Sequence, residues 1–171
     1  MRIWLGELYA DGFADGDVLM GICQQTSFWV AGEYLDLVAE RGLDDEFYID
    51  SAGIGSWHVG QLPDRRMRQC GQRHGYTFDH HARQFSSKDF ERFDLIAVMD
   101  HENYHDVARQ ANSEADLQKI ISMSDYLRHH PGQQTVPDPY YGTERDFEFA
   151  LELLEDACEG LLEALIKNDI R

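Results

Sequence analysis

The chain has 171 residues, 43% of them apolar and 27% charged, which suits one domain with a two- or three-layer core. Fifteen Lys plus Arg against thirty-two Asp plus Glu leave a formal charge of −17, and that charge repels nucleic-acid phosphates and anionic lipid, arguing against both as partners. No stretch approaches the roughly 20 apolar residues of a membrane span, and the first residues lack the basic-then-apolar order of a signal peptide, so a cytoplasmic location is expected. Cys23, Cys70 and Cys158 cannot pair completely and are too widely spaced for a zinc motif, which fits a reducing compartment.

In chain order, residues 1–17 mix Gly, Asp and aromatics with no sustained period and are expected to form an atypical extension ahead of a single domain at 18–171. Val18 to Cys23 reads as a short strand. Ser27 to Glu40 reads as a helix, with Ser as its N-cap and Gly42 as its stop. Phe47 to Ile49 reads as a second strand, and Pro63 to His74 as a helix with Pro in its first turn. Asp94 to Met99 is the clearest buried strand, because successive apolar residues suit a parallel strand covered on both faces. A helix over Glu102–Ala111 and a fourth strand over Lys119–Met123 follow, then a loop carrying Pro131, Gly132, Pro137 and Pro139. Phe147, Leu151, Leu154, Cys158, Leu161 and Leu165 recur at three- and four-residue spacing, marking a long C-terminal amphipathic helix. Strands alternating with helices predict an α/β fold with a parallel sheet, whose ligands bind beyond the carboxyl ends of the strands.

Three separated motifs carry a resemblance. Asp50 to Asp64 (DSAGIGSWHVGQLPD), His80 to Asp100 (HHARQFSSKDFERFDLIAVMD) and Val136 to Gly142 (VPDPYYG) together resemble the low-molecular-weight protein tyrosine phosphatases, from roughly Tyr34 to the C-terminus. The resemblance implies a three-layer, doubly wound domain with a four-stranded parallel sheet, hydrolysis of phosphotyrosine monoesters, and no cofactor. It implies that Asp138, between Pro137 and Pro139, protonates the leaving phenolate, a step for which a positioned acid contributes about 10²- to 10⁴-fold. It also implies that Tyr140, Tyr141 and Trp57 wall a pocket for phosphotyrosine or another aromatic ligand, and that Ser51 and His80 buttress the phosphate loop.

The first loop departs from that pattern. The family uses Cys, five residues and Arg between the first strand and first helix, so that a thiolate attacks phosphorus while loop amides and a guanidinium hold the phosphoryl oxygens. Counting back from Asp50 without gaps puts Met20 at the nucleophile, Cys23 at a buttressing asparagine, Thr26 at the arginine and Ser27 at the serine that follows it. Trp29, Tyr76 and Ala164 lie six residues beyond the three cysteines, so the Cys-(five residues)-Arg spacing occurs nowhere in the chain. The first fifty residues hold eleven acids and two bases, and no Lys or Arg falls between Ile3 and Glu40.

Three readings follow: a member of the family impaired in catalysis that acts as a binding domain; a phosphatase in which Cys23 or water attacks while Asp138 donates; or a chain whose residues 1 to about 33 are not the natural family segment, through a shifted reading frame. Cys70 and Cys158 fall on apolar helix faces and read as structural. Asp100 and Asn103 read as the capped start of a helix. The pairs His80-His81 and His129-His130 have no acidic partner at ligand spacing, so no metal site is expected.

Overall fold

The computed structural model describes residues 17–20, 37–43, 47–56, 59–76, 81–167 and 169–170. Among the described residues, four strands form one parallel sheet: β1 (Asp17–Met20), β2 (Tyr48–Asp50), β3 (Leu95–Val98) and β4 (Ile120–Ser122), in the order β2-β1-β3-β4. Val18 pairs with Ile49 on one side and Leu95 on the other, and Met20, the last residue of β1, lies opposite Ala97. The strand expected over Val18–Cys23 is present over Asp17–Met20, and residues 21–23 lie outside the described residues.

The helices are α1 (Arg65–Arg73), α2 (Asp89–Arg92), α3 (His101–Ala108), α4 (Glu114–Leu117) and α5 (Glu144–Lys167). Of the helix expected over Ser27–Glu40, residues 37–40 are helical and the rest lies outside the described residues. Gly42 closes it with φ of 69°, while the N–H of Leu43 reaches back to the carbonyl of Val38 at 2.9 Å. That left-handed conformation is one glycine adopts without a Cβ penalty.

Alternation along β3 builds the layers. Leu95, Ala97 and Met99 point to one face with Ile121, Met67, Cys70 and the apolar stripe of α5. Ile96 and Val98 point to the other, with Ile120, Ala52, Phe85, Phe90, Phe93 and Val107. Every β3 side chain is buried because helices cover both faces, which explains its unbroken apolar sequence. On the first face, Gly160 in α5 meets the 3₁₀ turn Met123–Tyr126 so closely that a Cβ there would lie 2.0 Å from the Tyr126 carbonyl oxygen.

The connection from β1 leads to β2 on one side of the sheet, and the chain then crosses to β3 on the other. Those two departures make the carboxyl ends of β1 and β3 the topological switch point of the sheet, where α/β folds bind ligands in a crevice.

Candidate functional site at the carboxyl ends of β1 and β3

The loop carrying Asp138 reaches this crevice through a backbone bond. The N–H of Val136 donates to the Met99 carbonyl at 2.8 Å, at the end of β3, and Val136 is fully buried. Prolines 137 and 139 then limit the loop's freedom around Asp138. Asp138 is exposed, and its carboxylate accepts from the N–H of Tyr140 at 2.9 Å, the short-range turn typical of aspartate. Tyr140 and Tyr141 meet edge to face at 4.9 Å, with Tyr141 97% exposed.

Arg66 fastens this loop to α1. Its guanidinium donates to the Tyr140 carbonyl at 2.7 Å, lies 5.7 Å from the centre of the Tyr140 ring and 4.9 Å from that of Phe147, and pairs with Asp64 at 3.1 Å. Asp64 is also the N-cap of α1, accepting from the Arg66 N–H. The Arg66 hydrogen bond chiefly holds its carboxyl below the usual aspartate range.

On the β2 side, Ser51 is buried and its N–H donates to the Asp50 carboxylate at 2.8 Å. Arg83 bridges Asp50 at 2.8 Å and the buried Asp89 at 3.1 Å, joining the end of β2 to α2. Beyond β3, Asp100 caps α3 by accepting from the Asn103 N–H at 2.7 Å, the role expected from sequence.

The structure thus gathers Met20 (by its backbone), Ser51 and the Asp138–Tyr141 loop around the carboxyl edge of the sheet. Cys23, Thr26, Ser27, Trp57 and His80 lie outside the described residues. Cys70 is far from nucleophilic: burial pushes its thiol up to about 12, with the neighbouring Glu148 carboxylate adding to the effect. Both Cys70 and Cys158 are buried, and neither forms a disulfide among the described residues.

Sequence reasoning missed a second cluster, on the seam between α1 and α5. Cys70 and His74 stand four residues apart on α1 and its cap, and Glu148 faces them from α5. Glu148 accepts from Arg73 at 2.6 Å and lies 2.7 Å from His74 Nε2; the Arg73 bond is the main cause that brings its carboxyl down to about 2. The available signal was Cys-(three residues)-His, which puts both side chains on one helical face. It escaped notice because the third member is 74 residues further along the chain. Beside this seam lies a cavity of about 860 Å³ lined in part by His74, Tyr76, His129, Glu155 and Asp156.

No described helix is long and apolar enough to cross a membrane. The sequence model of the family described as "Low molecular weight phosphotyrosine protein phosphatase" matches residues 33–170. A putative low-molecular-weight protein-tyrosine-phosphatase of Synechocystis is 42% identical over 131 residues, covering 77% of this chain and 83% of its own. The chicken low molecular weight phosphotyrosine protein phosphatase is 36% identical over 128 residues, covering 74% and 80%. Among solved structures, a protein tyrosine phosphatase from Entamoeba histolytica with Hepes in its active site superposes with a TM-score of 0.85 at 33% identity, covering 92% of this chain and 100% of its own. YfkJ from Bacillus subtilis superposes at 0.83 with 32% identity, covering 94% and 100%.

Proposed function

The chain belongs to the low molecular weight phosphotyrosine protein phosphatase family, and from that premise we propose that it is a member impaired in hydrolysis, which keeps the acid side of the cleft and binds aromatic ligands, phosphotyrosine among them, without the covalent route. The observation that carries the reading is the sequence around the end of β1: Met20 closes the strand, and no cysteine anywhere has an arginine six residues later. Displacement at phosphorus requires an anionic sulfur, and holding a dianion requires a charge-assisted fork of donors. A methionine thioether has no proton to lose, and Thr26 at the arginine position brings no charge.

Asp138 is the general acid that remains in this reading, held at the crevice by the Val136–Met99 bond. Tyr140, Tyr141 and Trp57 supply aromatic surface for a ring, and Ser51 and His80 are relics of the loop's support. A cytoplasmic site of action suits cysteines that form no disulfide among the described residues.

Hydrolysis of p-nitrophenyl phosphate by the purified chain tests this. Turnover is expected at background level and unchanged by Asp138→Asn. Turnover abolished by both Asp138→Asn and Cys23→Ser overturns the proposal in favour of Cys23 as nucleophile, and turnover sensitive to Asp138→Asn alone favours attack by water. The converse experiment is repair: Met20→Cys combined with Thr26→Arg is expected to raise turnover at least tenfold, with the gain removed by Asp138→Asn.

One observation favours a second reading: the family match begins at residue 33, immediately downstream of the segment where the loop belongs. Residues 1 to about 33 are then translated in a shifted frame, and the natural product is an active phosphatase. Nucleotide sequence of the locus decides it, since a Cys-(five residues)-Arg loop encoded in another frame establishes this reading and its absence removes it.

A further inference from the structure

We propose that Cys70, His74 and Glu148 form a binding site for a borderline-soft divalent cation of the zinc class, clamping α1 to α5. The three ligand atoms, one from each side chain, all lie within 4.8 Å of one another. Around tetrahedral zinc, bonds of about 2.0–2.3 Å place ligand atoms roughly 3.5 Å apart, so the widest separation closes by up to about 1 Å while the 2.7 Å His74–Glu148 contact opens by slightly less, both within side-chain adjustment at a helix seam. Two of the three ligands come from one face of α1, fixed by its backbone, and the third from a helix that packs on it.

The orientation of His74 supports this geometry. Its Nε2 faces Glu148 Oε2 at 2.7 Å, while Nδ1 points toward Glu155 Oε1 at 3.9 Å. A metal ligand of this kind binds through one ring nitrogen while a carboxylate holds the other, and Glu155 at 3.9 Å needs only a small side-chain shift to take that second role. Glu155 is itself held by the Tyr76 hydroxyl at 3.2 Å. The adjoining cavity is lined by His74 and Glu155, so the His74 side of the cluster opens to solvent.

The donor set decides which ion. Thiolate sulfur with imidazole nitrogen favours zinc over magnesium or calcium, which prefer oxygen alone. On binding, the Cys70 thiol releases its proton to solvent, the sulfur forms the metal bond, and the imidazole binds neutral. Arg73 keeps its contacts to Glu144 at 3.0 Å and to Glu148 Oε1 at 2.6 Å, so the ion takes Oε2 by replacing the His74–Glu148 hydrogen bond. Without an ion, the same groups form an ordinary ion-pair cluster, and the experiment separates the two.

Cobalt(II) and zinc(II) are titrated separately into the full chain. The expected result is one cobalt per chain, with a sulfur-to-metal charge-transfer band and tetrahedral visible bands that zinc displaces. Zinc at about 100 times its Kd is expected to raise the melting temperature by several degrees. Cys70→Ser abolishes the charge-transfer band, Cys23→Ser retains it, and the surface variants His74→Gln and Glu148→Gln weaken binding by about 10- to 100-fold while keeping native circular dichroism. Absence of saturable binding overturns the proposal, as does a band that survives Cys70→Ser, disappears in Cys23→Ser, or is indifferent to both surface variants. None of these readouts depends on phosphatase activity.

Discussion

Arg83 joins two carboxylates with very different surroundings. Asp50 is partly exposed at the end of β2, whereas Asp89 is 1% exposed and accepts from Arg83 and from the Ser86 N–H. Removing the guanidinium strands a buried charge, which costs more than the pair contributes. Arg83→Ala is expected to destabilise the fold by about 3 kcal/mol in urea unfolding, the low end of such losses because the Ser86 N–H and Arg92, 3.8 Å from Asp89, remain. A loss under 1 kcal/mol would show that Asp89 is satisfied without it. Asp156 poses the pH counterpart. Burial alone would raise its pKa, but the N–H groups and ring of His129 and the N–H of Arg128, at 2.7–2.9 Å, outweigh burial and hold it below the ordinary 3.8. A carboxyl depressed in the folded state contributes stability above its unfolded pKa and loses it as pH falls through the folded value. Asp156→Asn should therefore cost about 2 kcal/mol at pH 7, with the gap from wild type closing below about pH 3.8. A gap that stays constant down to pH 2.5 in urea titrations would rule out this assignment.

At the scale of elements, α5 shows where local propensity and packing disagree. Alanine is the better helix former by about 1 kcal/mol, yet a Cβ on Gly160 would collide with the Tyr126 backbone at 2.0 Å. Backbone cannot step aside as a long side chain can, so packing wins, and Gly160→Ala is expected to destabilise by about 1–3 kcal/mol net. A stabilised variant in thermal melts would contradict the contact. The same competition limits what sequence reveals. Strand β3, buried on both sides, announces itself by its apolar run, and α5 by its stripe. Helix α1 is legible from Pro63 and Asp64, although the structure starts it at Arg65 with Asp64 as cap. Helices α2 and α4, each four residues long, were not expected, because a single turn shows no periodicity. The Asp138 loop was legible as a motif; its seating was not, since the bond from Val136 to Met99 joins backbone groups and leaves no mark on residue choice. The Cys70–His74–Glu148 cluster was hidden for the opposite reason, being a matter of side chains brought together only by tertiary packing.

For the whole molecule, a charge of −17 means that folding gathers like charges. Screening shortens from about 30 Å at 0.01 M salt to about 8 Å at 0.15 M, which relieves that repulsion faster than it weakens close ion pairs such as Arg83–Asp89. Raising sodium chloride over this range should increase the melting temperature by a few degrees, and a decrease would show that ion pairs dominate. The central position of β1 bears on the same scale. Its neighbours β2 and β3 need its N–H and carbonyl groups, and they receive them from Asp17–Met20 although the family match starts only at residue 33. Ladder bonding is indifferent to most side chains, whereas the chemistry proposed for the crevice depends on two of them. Without Asp17–Met20 nothing would join β2 to β3, so the continuity of the sheet rests on a segment that lies wholly upstream of the family match.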